Sequence, residues 1–190
     1  LSDTDGALIK YKEEKKLNDY DFVVGWCNRN IRRKVPGDVI LGFEKFAEKY
    51  PDKKMCLFMH TNPVDENGTD IPEVVRMNVK HGHVKFSEDK LSTEGLNLFY
   101  NSCDVVLNVA SNEGFGLGSC EALRAGTPVV VNVTGGLQDQ CGFKRNGKLM
   151  NFFDAVLSGK SIGVPGTPAL LGELYSKYSS IDIHKLIAPA

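Results

Sequence analysis

SNEGFGLGSCEALRAGTPVVVN, residues 111–132, sets a glycine-rich loop, two carboxylates and a short helical segment between two apolar runs. The run before it, 105–110, and the run that ends it, 128–133, are rich in β-branched residues and bounded by turn formers, so both predict buried strands. A parallel strand pair joined by a helical crossover puts the loop after its first strand at the carboxyl edge of a sheet, where open α/β folds bind ligands. Gly114, Gly116 and Gly118 carry no side chain to keep an anion from the backbone N–H groups, and the next helix turns its positive end to the same place. Glu113 and Glu121 add a second requirement, because a bare phosphate site has no use for two carboxylates. Vicinal sugar hydroxyls suit them: an ionised carboxylate accepts two O–H bonds side by side. The expected ligand joins phosphate to sugar. The bland alternative is that the two acids answer the helix dipole, worth ~0.3 to 1 kcal/mol each.

Working outward, strands alternate with helices, the mark of a doubly wound parallel α/β sheet with helices on both faces. The first strand is expected at 22–26, the second at 55–59, and a short third at 84–86. The loop CNRNIRRKVPG follows the first strand and leads to Asp38, read as an N-cap, with Val39, Phe43, Phe46, Ala47 and Tyr50 at helical spacing and Pro51 as the stop. Arg29, Arg32, Arg33 and Lys34 therefore share the sheet edge with the glycine loop, where a diphosphate needs cations. Asp70-Ile71-Pro72-Glu73 predicts a capped helix to about Val79, and a further helix is expected over 92–101 with Leu96, Phe99 and Tyr100 inward. His60 follows a strand and could approach the ligand; His81 and His83 lack a third metal ligand. The two D-x-D strings, at 3–5 and 19–21, precede the first strand and read as solvated carboxylates. Residues 1–20 read as a charged linker and 21–190 as one ligand-binding domain, its tail expected to hold helices near 151–157 and 169–178 around a loop at 159–168.

Composition narrows the class. With 42% hydrophobic and 25% charged residues the chain is an ordinary globular protein, and a net charge of −1 argues against a nucleic-acid partner. Five cysteines without C-x-x-C spacing predict neither a disulfide framework nor a zinc site and favour a reducing, cytoplasmic setting. No apolar run reaches the ~18 residues of a membrane span.

Written E-G-F-G-L-x-x-x-E-A-x-x-x-G-x-P-V-V, residues 113–130 resemble the signature of glycosyltransferase family 4, and weaker similarity runs from about Phe22 to Asp139. The resemblance implies a retaining, metal-independent hexosyltransferase of the two-domain GT-B architecture, with this chain as the carboxyl-terminal, Rossmann-like donor-binding half. An amino-terminal acceptor-binding half of ~150 to 200 residues would then be missing, and the isolated chain would be inactive. It also implies a nucleoside diphosphate sugar as donor, no cofactor, and peripheral membrane contact only if the acceptor is lipid-linked. Carried onto this sequence, Arg29 and Lys34 bind the donor diphosphate, with Arg32 or Arg33 as substitutes because the spacing is one residue short of the commonest form. Gly114, Phe115, Gly116 and Leu117 supply N–H donors, Glu113 holds sugar hydroxyls beside the reacting carbon, and Glu121 holds the ribose diol. Lys85 and its neighbours lie near the nucleobase, and Gly135 and Gly136 lie close to the donor. Two other classes compete: a non-catalytic nucleotide-sugar binding module, which shares every binding residue, and an NAD-dependent oxidoreductase, against which Ser119 stands where the last fingerprint glycine belongs.

Overall fold

Apolar pairs two residues apart, Val24 with Trp26, Leu57 with Met59 and Val105 with Leu107, build one face of the sheet; Val23, Cys56, Phe58 and Val106 between them build the other. A computed structural model describes residues 2–141. Its strands are β1 Phe22–Cys27, β2 Met55–His60, β3 His83–Ser87, β4 Val105–Asn108 and β5 Val129–Val131, all parallel, in the order β3-β2-β1-β4-β5. The helices are α1 Ser2–Glu14, α2 Pro36–Lys49, α3 Ile71–Asn78, α4 Thr93–Asn101, α5 Leu117–Arg124 and the short α6 Gly136–Gln140. Helices α2 and α3 cover the first face through Ile40, Phe43 and Ile71; α1, α4 and α5 cover the second through Tyr11, Phe99 and Ala122. The doubly wound, Rossmann-like α/β fold expected from the sequence is the one observed.

Two local readings are corrected. Within the segment expected as a linker, Ser2–Glu14 form α1, and Tyr11 and Leu17 are buried in one cluster with Val23, Phe58 and Phe99. So few apolar residues among so many charges leave no helical stripe to read, although Tyr11 and Leu17 suffice to dock the segment. Asp38 is not the N-cap of α2: Val35 holds that place with φ 45°, Pro36 follows it, and Asp38 sits inside the first turn. Pro36 fits there because the first turn has N–H groups without intrahelical partners. Asp70 does cap α3, accepting the Glu73 N–H at 3.1 Å, and Ser92 caps α4 through the Gly95 N–H at 3.2 Å. The second D-x-D string is structural at Asp21, whose carboxylate accepts the Lys54 N–H ahead of β2. The helices and loop expected beyond residue 150 lie outside the described residues.

Candidate functional site

The order in which the parallel strands are added turns back between the neighbours β1 and β4. The loops after these two strands therefore face each other at the carboxyl edge, the place where such sheets open a crevice. One loop carries the cations and the other the glycines. They are stitched together: the Arg33 carbonyl accepts the Ser111 N–H at 2.9 Å and its hydroxyl at 3.2 Å.

At the centre lies Glu113, 9% exposed. Arg32–Lys34 forms a single 3-10 turn, which at about three residues per turn sends successive side chains in three directions. Lys34 points inward, 7% exposed, and its ammonium bonds Glu113 Oε2. Arg33 Nη1 donates to the same oxygen at 2.9 Å and to the Asn112 carbonyl at 3.0 Å. Burial raises the Glu113 carboxyl, but the Lys34 ammonium and then the Arg33 guanidinium outweigh it and hold the acid below the usual carboxylate range. Val35 closes the turn in the left-handed region, unusual for a β-branched residue. Arg29 stands apart. Its Nε donates to Asp65 Oδ2 at 3.1 Å on the loop after β2, and its side chain is 65% exposed. Of the expected diphosphate cations, then, Lys34 and Arg33 meet Glu113, and Arg29 is held by Asp65 instead.

Four glycines at the cradle differ in what the backbone asks of them. Gly116 lies at φ 85°, and a Cβ there would approach Leu137 Cδ2 to 2.5 Å, so glycine is required for both backbone and packing. A Cβ on Gly114 meets nothing within 4 Å, and the Gly114 and Phe115 N–H groups have no acceptor among the described residues. Those N–H groups are open to an anion. Phe115 and Leu117 are exposed beside them. Gly135 and Gly136 buttress the loop from behind: a Cβ on Gly135 would overlap the Glu113 carbonyl oxygen, and the Gly136 N–H donates to the Gly114 carbonyl at 2.7 Å. Gln140 adds bonds to the Phe115 and Gly116 carbonyls, the latter at 3.3 Å.

Glu121 sits on α5, and Tyr100 of α4 donates its hydroxyl to Oε2 at 2.7 Å. Burial first, then Cys27 and Glu121, push the Tyr100 phenol far upward, so it stays a donor. Glu121 opens on a groove of about 540 Å³ between α4 and α5, lined by Leu96, Asn97, Tyr100 and Arg124. His60, at the end of β2, has its Nδ1 3.1 Å from Ser87 Oγ and its ring against Phe99. Lys85 is turned elsewhere: its ammonium donates to the Lys15 carbonyl at 2.8 Å and lies 5.7 Å from the centre of the Tyr20 ring. Its side chain therefore serves the α1 docking face. His81 bonds the buried Glu44 at 2.7 Å, and among the described residues no three His, Cys, Asp or Glu side chains are grouped to hold a metal ion. Sequence reasoning missed Tyr100 as a partner of Glu121, along with Asn30 and Asp65, because nothing local marks a phenol one helix away or an amide one loop away.

Comparison with known proteins agrees with this architecture. Residues 76–155 match the family profile described as "Glycosyl transferases group 1". Mannosylfructose-phosphate synthase of Agrobacterium fabrum is 28% identical over 152 residues, 77% of this chain and 32% of that protein. The chain spans about a third of the length of the first curated relatives it matches. Among solved structures, the C-terminal domain of the glycosyl transferase group 1 family protein LpcC from Francisella tularensis superposes with a TM-score of 0.61 at 17% identity, covering 90% of this chain and 93% of that one. HepE of Anabaena, in complex with UDP, gives a TM-score of 0.61 at 18% identity over 95% of this chain and 51% of that one. With the paired glutamates and the glycine loop at the switch point of a five-stranded parallel sheet, the chain is similar to the group 1 glycosyl transferases over residues 76–155 and has the fold of a GT-B carboxyl-terminal domain.

Proposed function

We propose that this chain is the donor-binding domain of a retaining, metal-independent glycosyltransferase, which moves a hexose from a nucleoside diphosphate sugar to an acceptor hydroxyl. The observation that carries the reading is Glu113 gathered with Lys34 and Arg33 beneath the open N–H groups of Gly114 and Phe115. The cations and backbone donors meet the diphosphate as it gains charge, so they lower the barrier more than they stabilise the bound donor. The bond from the anomeric carbon to the phosphate oxygen breaks with its electron pair on the diphosphate. The acceptor oxygen attacks that carbon on the same face, and its proton passes to the leaving phosphate. Glu113 holds sugar hydroxyls beside that carbon, and the Glu121 oxygen not engaged by Tyr100 meets the ribose diol. The complex of HepE with UDP, on the same fold, supports a nucleoside diphosphate ligand.

Lys34 and Arg33 take the charge-neutralising part, which is why no metal is invoked. The acceptor lies with a missing amino-terminal domain, in the cytoplasm, and a lipid-linked acceptor would bring only peripheral membrane contact. The test is to incubate the full-length protein with a panel of α-linked nucleoside diphosphate hexoses, follow diphosphate release, and read the product's anomeric configuration by NMR. Release with an α-linked product is the expected result; an inverted product, or no turnover with intact nucleotide binding, contradicts the catalytic reading and leaves a binding module.

A further inference from the structure

The loop between β2 and α3, residues 61–70, packs against the cation loop more firmly than a connection needs. Asn30 is fully buried, and its amide is spent on that loop: Nδ2 donates to the Pro63 carbonyl at 3.0 Å and the Thr69 carbonyl at 2.7 Å, while Oδ1 accepts the Thr69 N–H at 3.0 Å. Gly68 lies so close to Asn30 that a Cβ would overlap it. Three bonds from one buried side chain fix the loop relative to the residue next to Arg29. Asp65 projects from this platform with its side chain only 10% exposed. Its Oδ1 accepts the Asn67 N–H at 3.0 Å and its Oδ2 accepts Arg29 Nε at 3.1 Å. The Asn67 amide first, and the Arg29 side chain after it, hold the Asp65 carboxyl below its usual range, so it is ionised.

Holding a guanidinium by Nε alone fixes the plane of the fork while leaving its two terminal nitrogens for another acceptor. We infer that Asp65, on a loop fastened by the buried Asn30 amide, is a positioning residue that presents the Arg29 guanidinium to the diphosphate, alongside Lys34 and Arg33 of the same loop as Arg29. The inference rests on the proposed donor site. It gives the exposed Arg29 a place in that site although it pairs with Asp65 and not with Glu113, since a long side chain without this hold would lose rotamer freedom on binding. Asp65 is not a catalytic residue: it acts through Arg29.

The variant that isolates the role is Asp65→Asn. Its single side-chain oxygen can still accept the Asn67 N–H and keep the turn, while the amide nitrogen it turns toward Arg29 is a donor and cannot hold Nε. The full-length protein, Asp65→Asn, Arg29→Ala and the double variant are titrated calorimetrically with UDP, GDP and ADP, with thermal midpoints recorded alongside. Binding of the preferred diphosphate is expected to weaken about 3- to 10-fold in Asp65→Asn at an unchanged midpoint, and by less than about 2-fold when Arg29 is already alanine. Unchanged affinity in Asp65→Asn overturns the inference, as does equal weakening in both backgrounds, which is the behaviour of a merely structural residue. Failure of the unsubstituted protein to bind any of the three overturns the donor-site reading itself, and this inference with it.

Discussion

Lys34 is the side chain on which the cradle's electrostatics turn. A nearly buried ammonium beside a nearly buried carboxylate is tolerated because each satisfies the other, and Arg33 shares the load at 2.9 Å. Lys34→Ala should therefore lose twice: nucleoside diphosphate affinity falls about 10-fold or more, and the fold loses about 1 to 3 kcal/mol because Glu113 is left with the half-exposed Arg33 alone. Calorimetric titration and urea unfolding of the same variant read the two losses separately. Glu113→Gln should part binding from transfer. It removes the negative charge that competes with a diphosphate for both cations, so diphosphate affinity holds or rises while the transfer rate drops about 100-fold through lost sugar orientation. Equal loss of affinity and rate would place Glu113 elsewhere than on the sugar. The cation choice was only half legible in the sequence. Four basic residues in one loop could be read as a diphosphate site, but which of them turns inward depends on the 3-10 turn that aims Lys34 at the core and Arg33 along the surface.

Elements carry the cradle by fixing its backbone, and glycine substitutions distinguish support from contact. Gly135→Ala places a methyl group on the Glu113 carbonyl at φ 47° and should cost about 1 to 3 kcal/mol or more, read as a lowered urea midpoint. Gly114→Ala meets open space and should fold as the parent does, so any loss of nucleotide affinity there reports contact with the ligand. A stable Gly135→Ala would mean that α6 does not buttress the loop. The apolar runs of β1, β2 and β4 made the strands readable within a residue or two, and Asp70 and Ser92 announced their helices by side chains that do cap them. Helix α1 was not readable. Tyr11 and Leu17 bury themselves across a long sequence separation, against Phe58 and Phe99, and tertiary packing of that kind leaves no local pattern. Gly135 and Gly136 were legible as glycines near the site; their task against the Glu113 and Gly114 backbone was not.

At the scale of the whole molecule, sheet order does the assembling. Residues 29–34 and 113–121 meet because β1 and β4 are neighbours, a relation that no motif spells out. Buried ionisable groups on several elements make the fold acid-sensitive in one direction. His60 is held below its ordinary 6.5, chiefly by burial, while Asp89 pulls the other way and Lys15 adds to the effect. The unfolded chain then takes up that proton first, so the contribution is full above 6.5 and lost as pH falls through the folded value. Glu44 and Glu113 are each raised by burial but lowered further: Glu44 by His81 and three backbone N–H groups, Glu113 by Lys34 and Arg33. Their contributions are full above the ordinary 4.5 and lost as pH falls through the folded values. Urea midpoints from pH 7.5 downward should thus fall in two stages, and His60→Gln should abolish the first while leaving the second. A profile that His60→Gln leaves unchanged would assign the first stage to another group.

The crevice between the two loops is the proposed seat of a nucleoside diphosphate. Calorimetric titration with UDP, GDP, ADP and NAD in the absence of added metal tests it most directly. One-to-one binding of one nucleoside diphosphate in preference to NAD is expected, weakened about 10-fold or more by Glu121→Ala, a variant that stays folded although the Tyr100 hydroxyl loses its acceptor. Binding of NAD alone, or wild-type affinity in Glu121→Ala, would contradict it.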